Sequence, residues 1–289
     1  MTNASEQHKW DHYYRELAAS TDIHPGAAIV YEEVAQALKP LLAQGSRVLE
    51  AGCGAGFQSL FLARHGWDVS LLDFSAEALS VAREVFARHA VPAVFEIGDL
   101  TAGASSADHD LVFNSGVLEH YSFDEQVRLV RGMAMRSRNY VLVLVPNRLC
   151  HWYWIWRAQQ ALAQQWPFGY EKPATDYRPV FEAAGLNFLG SAWFAAGAIG
   201  HFLQAIHGVD ASLRQLLEQM NALPIFPVQQ RAYLVGFIGS VRPGAAPVVG
   251  FQEHSGVAPD TLDAQAADAL DRMVQDALSS RSESIQKAV

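Results

Sequence analysis

Cysteine is nearly absent: Cys53 and Cys150 are the only two in 289 residues. That excludes a disulfide framework and a clustered zinc pattern, removes the three-cysteine cluster of radical enzymes, and makes a reducing cytoplasm the expected compartment. No apolar run approaches the roughly 18 residues that span a bilayer, so no membrane span is expected. Met1 to Tyr14 carries Glu6, Lys9 and Asp11 instead of the apolar stretch of a secretory signal. Basic residues are also scarce, 21 Lys and Arg against 30 Asp and Glu, for a net charge of −9. Phosphate-backbone binding needs clustered Lys and Arg, so no nucleic-acid partner is expected. What the chain does have is apolar content. Half of it is hydrophobic and 18% is charged, enough for a sizeable packed core.

The chain divides by pattern into three parts. Residues 1–45 read as a helical segment, with Trp10, Tyr13, Tyr14 and Leu17 at helical spacing and a second helix after Pro25 through Ile29, Val34 and Leu38. Residues 46–242 alternate strand and helix. Arg47 to Ala51 reads as a buried strand, Gly52 to Gly56 as a tight turn, Phe57 to His65 as helix, and Asp68 to Asp73 as the second strand. Ser75 caps a helix to about His89, Val94 to Ile97 is a third strand and Asp110 to Phe113 a fourth. A helix over Asp124 to Arg136 leads to a fifth strand, Tyr140 to Val145. This rhythm predicts a Rossmann-like, mostly parallel α/β sheet with helices on both faces. A helix over Asp176 to Ala184 and strand-like Leu186 to Phe194 and Arg231 to Val241 complete seven strands. Two insertions, 147–174 and 195–230, interrupt the later part, the second with a helix around Ala211 to Met220. Residues 243–289 read as a Gly- and Pro-rich linker and an amphipathic helix carrying Leu262, Leu270 and Met273.

The most informative stretch is Glu50-Ala51-Gly52-Cys53-Gly54-Ala55-Gly56, between a strand and a helix, with Asp73 closing the next strand. Glycines there let the backbone turn sharply and approach a ligand, and an acid after the second strand accepts from ribose hydroxyls. An adenosine-containing ligand follows. A dinucleotide would bring a pyrophosphate to the turn, where the Glu50 carboxylate is unwelcome, and the third glycine comes one residue early for G-x-G-x-x-G. S-adenosyl-L-methionine, with an ammonium, a sulfonium and no phosphate, suits Glu50 better.

With these residues in place, the chain resembles the class I S-adenosylmethionine-dependent methyltransferases, in particular the branch acting on small molecules, over about Arg47 to Val145. The resemblance implies a seven-stranded sheet with an antiparallel edge hairpin. It also implies that Glu50 to Gly56, including Gly52, Cys53, Gly54 and Gly56, forms the first cofactor motif. Asp73, followed by Phe74, would hold the ribose. In Gly98-Asp99-Leu100, Asp99 would accept from the adenine amino group. Asn114 and Ser115 open a segment, through His120, that would line the methionine part. The implied activity is methylation of a small-molecule acceptor at oxygen or nitrogen.

Methyl transfer is an in-line displacement at an activated carbon, so alignment supplies much of the rate. A base is needed only where the acceptor must lose a proton, and nothing here demands a metal. His120, after the fourth strand, is the first base candidate and His151 the second; the plainer alternatives are a packing or capping role for His120 and a solvated loop for His151. Trp152, Tyr153, Trp156 and Tyr170 are candidates for an apolar acceptor pocket, or for a local core holding the insertion. Tyr13 is a candidate for the same pocket. Tyr14 could close over the cofactor as an N-terminal lid. Two other classes stay open: an NAD-dependent oxidoreductase, and a non-catalytic S-adenosylmethionine-binding module. A homodimer is one assembly left open.

Overall fold

The computed structural model describes residues 10–15, 23, 25–103, 106–166, 168–206, 209–222 and 227–252. Seven strands form one sheet in the order β3-β2-β1-β4-β5-β7-β6. They are β1 (Arg47–Ala51), β2 (Asp68–Asp73), β3 (Val94–Ile97), β4 (His109–Ser115), β5 (Ser137–Pro146), β6 (Asn187–Phe194) and β7 (Leu234–Ser240). The first five are parallel; β7 lies antiparallel between β5 and β6. The helices are α1 (the described part, residues 10–15), α2 (Pro25–Leu38), α3 (Phe57–Arg64), α4 (Ala76–Arg88), α5 (Phe123–Arg136), α6 (His151–Leu162), α7 (Arg178–Ala183), α8 (Ile199–Ala205), α9 (Ala211–Ala222) and α10 (Val228–Arg231).

Alternation along the strands builds a core on each face. In β5, Leu142 and Leu144 join Val34 and Leu38 of α2, Leu60 of α3 and Phe86 of α4 on one side. Val141, Val143 and Val145 join Val130 and Met133 of α5 and Phe181 of α7 on the other. Helices therefore cover both faces, as parallel strands require. Two helix starts are fixed locally. Ser75 Oγ accepts from the Ala78 amide at 3.1 Å. Ser122 and Glu125 form a capping box at the head of α5, with the Ser122 amide donating to Glu125 Oε2 at 2.9 Å.

β1 and β4 are neighbours, while the chain passes outward from β1 to β2 and β3. The order reverses there, and open α/β sheets bind ligands beyond the carboxyl ends of the strands at such a point.

Two departures from the sequence reading matter. The first insertion holds α6 rather than loop alone. Its helix is built from Trp, Tyr and His, which have weak helix propensity, and is secured by packing: Tyr153, Trp154 and Ala161 form a small core with Cys150. Second, the linker begins by docking. Gln252 pairs with Ser191 on β6 through backbone hydrogen bonds of 2.9 and 3.0 Å, and Phe251 is buried near Phe194. The edge strand thereby gains a partner for part of its length. The amphipathic stretch from Leu262 lies outside the described residues, as does Leu17.

Candidate functional site

Gly52, Gly54 and Gly56 all adopt left-handed backbone, with φ of 73°, 53° and 72°. L-residues with side chains rarely adopt this conformation. The amides of Gly52 and Cys53 both donate to the Leu72 carbonyl, at 2.8 and 3.1 Å, which folds the turn onto the end of β2. The Gly54 amide then donates to Asp73 Oδ2 at 2.9 Å, while Oδ1 accepts from the Ser75 amide at 2.9 Å. Asp73 is buried, and burial raises its pKa against those amide hydrogen bonds. One carboxylate thus ties the glycine turn to the start of α4.

Glu50 lies behind the turn. It is buried and accepts from the Ser59 amide at 3.2 Å, one turn into α3. Burial pushes its carboxyl up to about 8, and the Asp73 charge adds to this. Cys53 is a buried thiol raised well above its usual range, first by burial and then by Asp73 and Glu50, which favours the protonated thiol over the thiolate.

The N-terminal segment crosses this region. Asp11 Oδ1 accepts from Ser75 Oγ at 2.5 Å, and the Trp10 ring meets His120 edge-on at 5.4 Å. A Cβ on Gly54 would collide with the Tyr14 hydroxyl. Burial first, then Asp73, holds that hydroxyl well above its usual pKa, so it stays protonated and able to donate.

Two adjoining cavities open at this edge of the sheet. The larger, about 780 Å³, is walled by Asp73, Phe74, Asp99, Leu100, His120 and Tyr170, among others. Asp99 Oδ1 accepts from the Thr101 amide and hydroxyl at 2.8 and 2.7 Å, which fixes its orientation. The smaller, about 310 Å³, is reached by Gly52, Cys53, Tyr13, Tyr14, Ser115, His120 and Trp156. His120 serves both. Its Nδ1 sits 2.7 Å from the Tyr170 carbonyl. A carbonyl only accepts, so Nδ1 carries the proton, and in the neutral ring Nε2 is the acceptor nitrogen.

Several expected residues lie elsewhere. Gly54, Gly56 and Glu50 back the turn rather than line a cavity. Asn114 is fully buried, its amide donating to Met133 Sδ at 3.4 Å, so it holds β4 to α5. His151, Trp152 and Tyr153 are not brought to either cavity, because α6 turns them into its own packing. The His151 ring lies tilted against Trp152 at 4.7 Å, and the Trp152 indole donates to Asn221 Oδ1 at 3.0 Å. Tyr153 is fully buried, donating to Glu171 Oε1 at 2.5 Å and accepting from Arg157 Nη1 at 3.1 Å.

Sequence reasoning did not single out Glu119 and Glu171. Both are buried, and both line the smaller cavity. Burial, and then the Glu171 charge, hold the Glu119 carboxyl well above the usual carboxylate range. The signal for Glu119 was its place beside His120, after β4; nothing in the sequence marks Glu171 as its neighbour.

Residues 48–139 match the family model described as a methyltransferase domain. With the sheet order above, the chain has a fold similar to the class I, Rossmann-like fold of methyltransferases. Over 59 residues, 20% of the chain, it is 42% identical to Ribosomal RNA small subunit methyltransferase C of Alcanivorax borkumensis, covering 18% of that protein. Over 106 residues, 36% of the chain, it is 33% identical to Ubiquinone biosynthesis O-methyltransferase of Pectobacterium atrosepticum, covering 44% of that protein. The chain spans less than half the length of the curated relatives it matches. Its fold is similar to magnesium protoporphyrin IX methyltransferase from Synechocystis PCC 6803, with a TM-score of 0.52, 16% identity, and 82% of this chain and 95% of that chain covered.

Proposed function

We propose that this chain is an S-adenosylmethionine-dependent methyltransferase acting on a small-molecule acceptor at oxygen or nitrogen. The observation that carries the reading is the Gly54–Asp73 unit: a left-handed glycine turn bonded to a buried carboxylate at the mouth of a large cavity. The residues fit the cofactor. Gly52 lines both cavities in left-handed backbone and presents no side chain to them. Glu50 puts a buried carboxyl behind the turn, which an ammonium held at the turn can draw into its ionised form.

When bound, the cofactor supplies a methyl group on a sulfonium, a carbon already activated for displacement. The protein's share is then chiefly positioning. In this reading Asp73 accepts from ribose hydroxyls and Asp99 faces the adenine. Gly52, Cys53 and Ser115 border the methionine part, and Tyr14 closes over it. His120, with its proton fixed on Nδ1, offers Nε2 as a base for an acceptor that must lose a proton.

A small acceptor is supported by the size of the second cavity, which is at the lower end for small-molecule sites, and by the net charge of −9, which disfavours nucleic acid. Among the described residues no helix is long and apolar enough to cross a membrane. The test is formation of S-adenosylhomocysteine from S-adenosylmethionine across a panel of small hydroxyl and amine acceptors. Turnover with any of them supports the reading. Cofactor binding without turnover across the panel favours a non-catalytic binding module.

A further inference from the structure

Resting on the methyltransferase reading, we propose that the smaller cavity takes its acceptor as a small cationic amine, recognised by Glu119 and enclosed by aromatic rings. Three acids line that cavity, Asp73, Glu119 and Glu171, and no Lys or Arg is among the described residues lining it. Its walls carry Tyr13, Trp156, Trp166, Phe168 and Tyr233. Aromatic faces attract cations and accept apolar substituents equally well.

Glu119 points to the ligand most directly. It is 2% exposed, and among the described residues its Oε2 has no hydrogen-bond partner. A buried carboxylate without a partner is costly and is compensated by a cation that bonds to it. Glu171 is engaged: its Oε1 accepts from Tyr153, and its backbone carbonyl accepts from Arg157 Nη2 at 2.7 Å. The Arg157 guanidinium also donates to the Tyr153 hydroxyl and lies 5.3 Å from the Trp154 and Trp166 rings. A neutral hydroxyl acceptor would leave Glu119 without an opposite charge; an ammonium supplies one.

The acids form two groups. Glu50 and Asp73, on the strands beside the glycine turn, act on Tyr14 and Cys53. Glu119 and Glu171, on the turn after β4 and the loop after α6, act on Tyr233 and Tyr177. Glu119 and Glu171 stand on other elements than Glu50 and Asp73, and Glu171 comes from the first insertion. The cavity still reaches Gly52, Cys53 and Ser115, so an acceptor held there lies next to the proposed cofactor residues.

Glu119 also has a use in preparing the acceptor. The bound ammonium first stabilises the ionised carboxylate, the Glu119 proton leaving to solvent; transfer of one ammonium proton to Oε2 then breaks an N–H bond and forms an O–H bond. That leaves a neutral carboxyl and a neutral amine whose lone pair is free. Burial and Glu171, which hold the Glu119 carboxyl well above the usual carboxylate range, favour that transfer.

The experiment is calorimetric titration of the full chain, saturated with S-adenosylhomocysteine, with ethylamine, benzylamine and phenethylamine and with ethanol, benzyl alcohol and 2-phenylethanol. The expected result is at least one amine binding tenfold or more tightly than its alcohol, with Glu119→Gln losing that preference while binding S-adenosylhomocysteine like the parent protein. The proposal is overturned if no amine outbinds its alcohol, or if the preference survives in Glu119→Gln. Should that variant fail to fold, Glu119→Ala carries the same test, with the same loss expected. Failure of the parent protein to bind S-adenosylhomocysteine would strike the methyltransferase reading instead.

Discussion

The backbone amide of Gly54 donates to Asp73 Oδ2 at 2.9 Å, which makes the turn after β1 and the acid ending β2 a single unit. Their separation in sequence is spanned by α3 and β2, so the strand pairing that sets Ala51 opposite Leu72 also sets this contact. The turn is held in shape by the group proposed to bind ribose.

Asp73→Ala should therefore weaken S-adenosylhomocysteine binding by roughly 10- to 100-fold, the worth of hydrogen bonds to a charged group. Calorimetric titration reads this directly. Unchanged affinity would remove Asp73 from the site.

Gly54→Val places a β-branched side chain at a φ of 53° and against the Tyr14 hydroxyl. The strain should destabilise the fold by about 1–3 kcal/mol and leave folded protein behind. Cofactor binding should be lost in that folded protein, whereas a variant that melts lower but binds normally would show that close backbone approach is not required.

Glu50 gives a pH dependence of known sign. Its carboxyl is pushed up to about 8 in the folded chain, against about 4.3 in an unfolded one. The folded state thus holds a proton that the unfolded state releases. The stability it contributes is complete below about 4.3 and is lost as pH rises through about 8. Thermal melts of the ligand-free protein should fall from pH 5 to pH 8. Glu50→Gln, which cannot ionise, should flatten that slope; an identical slope in both proteins would place the shift elsewhere.

His120→Ala separates two roles for this ring. As a base through Nε2, its loss should lower kcat by about a hundredfold or more while cofactor affinity changes little. Equal losses in both would mean that His120 serves mainly as the surface on which Trp10 rests.

Much of this frame is legible in the sequence, for identifiable reasons. β1, β2 and β3 fall where short apolar runs bounded by glycine or a charged residue put them. The ends of β5 were harder to read, because Ser137 to Asn139 are polar and join the strand through pairing with its neighbours. α6 was hidden by its aromatic composition and is held by packing against Trp166 and Tyr233. The site shows the same division. Asp73 and the glycines are local in pattern. The meeting of Glu119 with Glu171 depends on how the loop after α6 returns to the turn after β4, where the Lys172 amide donates to the Glu119 carbonyl at 2.8 Å. No periodicity in either segment encodes that return.

The most direct test of the central claim is calorimetric titration of the purified chain with S-adenosylhomocysteine, with NAD as the control. The account predicts micromolar binding of the first and none of the second. Binding of NAD in its place would contradict the reading of Glu50 and the glycine turn, and would make the chain a dehydrogenase candidate.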